Sequence, residues 1–172
     1  MSWHTNAILI KADFSRDYPG LLAKLGLQGA EAGGKVSFDD AAATFNDGVA
    51  AGTVDGWTAL WGNLALYMVD DKGLAKVAKK ADVFQMMLEG TSGTAGFTWY
   101  TGGKMVRDWM RQEDKIVKNQ GEPLAEEKKA FAKRDDEQAV LHLLMSLTLP
   151  LKKLQAIEYQ MYEFAEDALF GG

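Results

Sequence analysis

Arg107, Trp109 and Arg111 stand at alternate positions of the segment KMVRDWMRQ, which has the composition of a β-strand, so a strand would place all three on one face. Two guanidinium groups flanking an indole can grip an acidic protein or a phosphorylated ligand through bidentate hydrogen bonds and cation-π contact. The competing role for the same arginines is cross-strand pairing with Glu89 or Asp114 on a solvated sheet face.

The second group is LEGTSGTAGFTWYTGG, residues 88–103, with glycine at every third place from Gly90 to Gly96. Such a loop can turn its amides toward an anion, and the hydroxyls of Thr91, Ser92 and Thr94 would add donors. A Walker-type loop needs a lysine after its last glycine and a helix beyond it. Here Phe97 to Tyr100 follow, which is strand sequence, so neither that loop nor a dinucleotide fingerprint is present. The expected role of 90–96 is a connection between two antiparallel strands. Glu89 beside Ser92 also pairs a candidate general base with a hydroxyl nucleophile, but no GxSxG elbow accompanies them. No residue is assigned a catalytic role.

Metal chemistry finds little support. There is no cysteine, and the two histidines, His4 and His142, have no partner at metal-ligand spacing. His142 lies between leucines and is expected at the edge of a core stripe, making one hydrogen bond. The pairs Asp39-Asp40, Asp70-Asp71 and Asp135-Asp136 each precede helical sequence, where carboxylates accept N-terminal amides. No EF-hand spacing occurs. We expect no metal and no cofactor.

The elements that must position these groups follow from periodicity. Residues 6–13 read as a strand, and Tyr18, Leu21, Leu22 and Leu25 form the stripe of a helix stopped by Gly26. The stretch QGAEAGGK reads as a loop. Ser37-Phe38-Asp39-Asp40 resembles a capping box, opening a short helix through Phe45 closed by Asn46-Asp47-Gly48. Asp55-Gly56 and Gly62-Asn63 are hairpin signals, so a strand meander is expected to run to about Val69. An amphipathic helix then carries Leu74, Val77, Ala78 and Ala81 on one side and four lysines on the other.

From Val83 the chain returns to strands: VFQMMLE, GFTWYT, KMVRDWMRQ and KIVKN. A turn at Gly102-Gly103 would pair Tyr100 with Met105, Trp99 with Val106 and Thr98 with Arg107, putting Trp99 and Trp109 on different faces. Glu122-Pro123 opens a charged helix with proline at its first position. Asp135-Asp136 opens an apolar one, ended by Pro150. Residues 151–164 satisfy both helical and strand spacing and are assigned to a final strand. Trp57, Trp61, Phe97, Trp99, Tyr100 and Trp109 are expected in the core, because large aromatics dominate burial.

With 172 residues, 47% apolar and 25% charged, the chain reads as one globular domain, 1–172, able to hide roughly 70% of its unfolded surface. Strands in runs with helices grouped between them indicate α+β, a largely antiparallel twisted sheet of meanders packed against four or five helices. The net charge is -5, with 8 basic against 10 acidic residues before Val83 and 11 against 14 from there on, so nucleic acid is an unlikely partner. No signal peptide or membrane-length apolar run is read, and the expected location is the cytoplasm.

Three functions remain as expectations. The first is a non-enzymatic protein-interaction domain of the inhibitor, immunity or accessory type, binding through a sheet face with Arg107, Trp109 and Arg111. The second is a binder of a small anionic ligand or nucleotide, using the amides of 90–96 with Arg107. The third is a hydrolase built on Glu89 and Ser92. The oligomeric state does not follow from the sequence.

Overall fold

The computed structural model describes residues 3–42, 48–62 and 64–165. Its frame is one nine-stranded sheet in the order β2-β9-β3-β4-β1-β5-β6-β7-β8, with every neighbouring pair antiparallel. The strands are β1 (His4–Ile10), β2 (Glu31–Val36), β3 (Val49–Val54), β4 (Trp57–Gly62), β5 (Val83–Glu89), β6 (Thr94–Thr101), β7 (Lys104–Gln112), β8 (Lys115–Gln120) and β9 (Tyr159–Glu163). The helices are α1 (Tyr18–Lys24), α2 (Phe38–Ala42), α3 (Leu64–Tyr67), α4 (Asp71–Ala78), α5 (Ala125–Phe131), α6 (Asp136–Leu147) and α7 (Leu151–Gln155). The expected α+β class with an antiparallel sheet is the observed one.

β1 is central, and alternation along it feeds two cores. Ala7 and Leu9 point to one face, under α2, α5, α6 and α7, where Trp61, Phe84, Phe97, Trp99, Trp109, Leu143 and Leu144 pack. Ile8 and Ile10 point to the other, where α1, α3 and α4 bring Leu21, Leu22, Leu66 and Leu74 against Leu60 and Tyr100. All six aromatics expected in the core are buried. Two acidic pairs cap as expected: Asp70 accepts from Gly73 N and Asp135 from Gln138 N. Asp39 and Asp40 lie in the first turn of α2.

Several boundaries differ from the sequence reading. Seven helices, not four or five, occur among the described residues; the two unexpected ones, α3 and α7, are each a single turn, too short to show helical periodicity. The meander does not reach Val69: β4 ends at Gly62, and α3 packs Leu66 onto that glycine, where the close approach takes the place of a side chain. Residues 31–35, read as loop, belong to edge strand β2, which is exposed almost throughout and therefore without an apolar pattern. Proline 123 lies outside α5, which starts at Ala125. The segment after Pro150 is a helix and then a strand, α7 and β9. Phe45, Asn46, Asp47 and Asn63 lie outside the described residues.

The Gly102-Gly103 turn forms, with φ of 63° and 79°, the left-handed values a two-residue hairpin needs. Tyr100 does pair with Met105, but a bulge at Val106 shifts the rest by one, so Trp99 faces Arg107 and Thr98 faces Asp108. Trp99 and Trp109 consequently share the covered face.

Candidate functional site

Antiparallel register sorts the residues of β1 and β5 to β8 into rows, and directly opposed residues share a face. The covered face carries Leu9, Phe84, Trp99 and Arg107 in one row, and Ala7, Met86, Phe97, Trp109 and Asn119 in the next. Arg107 thus lies under α5 and is 3% exposed. Its Nε and Nη2 donate to the two oxygens of Glu127 at 2.9 and 3.0 Å. Its Nη1 donates to Asn119 Oδ1 at 2.7 Å and to the carbonyls of Gln120 and Gly121 at 3.1 Å each. Glu127 also accepts the Leu124 amide, so one ion pair fastens α5 and its leading loop to the sheet.

Trp109 packs edge-on against Phe131 at 4.8 Å. Arg111 sits over the Trp109 ring, 5.9 Å from its centroid, and lies 3.4 Å from Asp136 at the start of α6. The three residues are gathered on one face as the alternation requires. Their ionic partners are Glu127 and Asp136 rather than Glu89 or Asp114, and the protein's own helices cover the stripe.

The glycine loop is shorter than its sequence suggests, because β6 begins at Thr94 and Gly96 is a strand residue between Met87 and Met110. The Gly90 amide donates to Trp3 O, the Thr91 amide to Glu89 Oε1 and the Gly93 amide to Gly90 O. These donors are bonded within the chain and do not converge on an anion. Ser92 Oγ donates to the Glu89 carbonyl at 3.3 Å and pairs with Thr94 Oγ1 at 2.9 Å. His4 Nδ1 lies 2.7 Å from Glu89 Oε1. In the row His4, Glu89, Thr94 the acid stands between the histidine and the hydroxyl, whereas a catalytic triad sets the histidine between acid and nucleophile.

The open face of the same strands was missed by the sequence reading. Its rows are Asn6, Met87, Gly96, Met110, Lys118 and, beside it, Ile8, Gln85, Thr98, Asp108, Gln120. On this face, between the α3–α4 segment and strands β1 and β5 to β8, lies a cavity of about 350 Å³, within the size range of ligand sites. Asn6, Gln85, Thr98 and Asp108 line it from the strands, and Tyr67 at the end of α3, Val69 in the link and Asp71 at the start of α4 form its lip.

Thr98 Oγ1 donates to Asp108 at 3.2 Å. Tyr100, in the adjoining row, has its phenol pKa pushed up to about 12, first by burial and then by the carboxylates of Asp71 and Asp108. Both acids therefore act on one hydroxyl. Among the described residues, neither is in an ion pair. Tyr67, at the lip, and the following residue Met68 are 62% and 45% exposed. A signal for this face existed in β5, where the polar Gln85 and Glu89 alternate with Phe84, Met86 and Leu88, as in a half-covered strand.

No group of His, Asp or Glu side chains suited to a metal ion occurs among the described residues, and none of their helices is long and apolar enough to cross a membrane. Comparison with known protein families, curated proteins and solved structures found no match to this chain.

Proposed function

We propose that this chain is a non-enzymatic interaction domain of the inhibitor, immunity or accessory type, and that it receives a partner protein on the open face of β5 to β8. The observation that carries this reading is the cavity under the α3–α4 lip, with Tyr67 exposed at its edge and the next residue, Met68, exposed as well. Tyrosine and methionine are enriched in protein interfaces, and methionine adapts its shape to what it meets; Met87 and Met110 supply two more inside the cavity. Glu89 lies on the same face at the end of β5, and Thr91 and Ser92 in the turn that follows it. Arg107, Trp109 and Arg111 act from behind it, by fixing β7 to α5 and α6.

A photo-crosslinking amino acid placed at Met68, and as a control at Met145, an exposed site on α6, tests the reading in the cells that make the protein. The expected result is a defined protein adduct from position 68, absent from position 145 and abolished by Met110→Trp, which fills the cavity. No adduct at 68, or adducts at both positions that ignore Met110→Trp, would overturn it.

A further inference from the structure

The cavity on the open face combines four kinds of surface. Asp71, at the first position of α4, and Asp108, in mid-β7, offer carboxylates. Gln85, half-buried in the floor, makes no side-chain hydrogen bond among the described residues and offers an amide oxygen. Met87 and Met110 supply flexible apolar walls, Met110 lying against Gly96, where the absent side chain lets it settle on the backbone. Tyr67 holds an exposed ring at the mouth. An occupant matching all four must be elongated, aliphatic along its length, and cationic with several donors at its tip.

We infer that the cavity seats an arginine side chain of the partner protein, its guanidinium between Asp71 and Asp108, its methylenes along Met87 and Met110, and Tyr67 across its stem. The inference rests on the interaction-domain reading. Arginine fits better than lysine because its planar fork of five N–H donors serves two carboxylates and an amide oxygen together, and because it is less strongly hydrated than an ammonium. A cation over a tyrosine ring gains further attraction. The net charge of -5 favours approach of a basic surface. Lys118 lines the β8 side of the cavity, opposite Met110 and one row from the Asp108–Gln120 pair, and is in no ion pair among the described residues. It repels a cation there and directs the guanidinium toward α4.

The probes are N-acetyl-arginine amide, the uncharged isostere N-acetyl-citrulline amide, and free arginine, each titrated into the 15N-labelled protein. Saturable shifts are expected at the amides of Gln85, Gly96, Thr98 and Asp108 with the arginine amide, and binding of the citrulline amide should be weaker by about tenfold or more, the loss typical of an ion-paired contact. The Asp71→Asn, Asp108→Asn double variant should lose the response while keeping a dispersed spectrum, and Lys118→Glu should tighten binding about two- to threefold, the worth of one nearby exposed charge. The asparagine at 108 still accepts from Thr98, so the floor is retained.

Absence of saturable shifts, equal binding of the citrulline amide, or an undiminished response in the double variant would overturn the inference. Free arginine binding about tenfold more tightly than its amide would also overturn it, by making this a small-molecule site that uses Lys118 for the carboxylate. A position-68 adduct with silent arginine probes removes this inference alone; loss of the adduct removes the interaction reading.

Discussion

Arg107 sets Nε and Nη2 on the two oxygens of Glu127 and Nη1 on Asn119 and two carbonyls at the end of β8. Removing one member of such a buried pair leaves the other charge desolvated and alone. Arg107→Met should therefore cost about 3–5 kcal/mol, read as a lower urea midpoint at unchanged m-value. The double variant Arg107→Met, Glu127→Leu should recover much of that loss, since replacing a buried pair by apolar groups is often close to neutral. A double variant as unstable as the single one would show that packing, and not the uncompensated carboxylate, dominates. Alternation made it legible that Arg107, Trp109 and Arg111 share a face. It did not say which face, because Glu127 and Asp136 come from later helices whose docking no local pattern encodes.

The elements were legible wherever one side of them meets the core. β1, β5, β7, α1, α4 and α6 follow their apolar periods closely. β2 was not legible, because a fully exposed edge strand has no buried face to leave a pattern. The bulge at Val106 was equally silent, and it moved Asp108 opposite Thr98, which built the cavity floor. The same bulge is gripped from behind by Gly121, which has φ of +83°; a Cβ there would stand 2.1 Å from the Val106 carbonyl oxygen. Gly121→Ala combines left-handed strain with a backbone clash and should cost about 2 kcal/mol or more, lowering the thermal midpoint by about 5 °C or more. Gly34→Ala, with open space around it, should stay within about 0.5 kcal/mol of the parent. Equal midpoints for the two alanine variants would mean that the β8–α5 turn does not constrain the bulge.

On the scale of the whole molecule, one sheet separates two apolar layers, and each buries tyrosine hydroxyls. Tyr159 lies in the first, donating to Leu154 O at 2.7 Å; Tyr100 and Tyr162 lie in the second, with Tyr18 packed against it. Burial is the leading cause that raises the phenol pKa of all four. For a group whose pKa is raised by folding, the unfolded chain loses its proton first. The native state then holds more protons than the unfolded one, and stability falls as pH rises. The contribution is complete below the unfolded value near 10 and is lost progressively as pH climbs toward the folded values, about 12 for Tyr100. Lysines titrate in the same range, so the decisive comparison is between variants. Urea midpoints taken from pH 8 to pH 12 should fall less steeply above pH 10 in Tyr100→Phe than in the parent. Asp108→Asn, which removes one of the two carboxylates acting on that hydroxyl, should flatten the slope part of the way. Identical slopes in all three proteins would detach Tyr100 from the alkaline transition. Graded slopes would place beside a desolvated phenol the Asp108 charge that lines the cavity where a guanidinium is expected to bind.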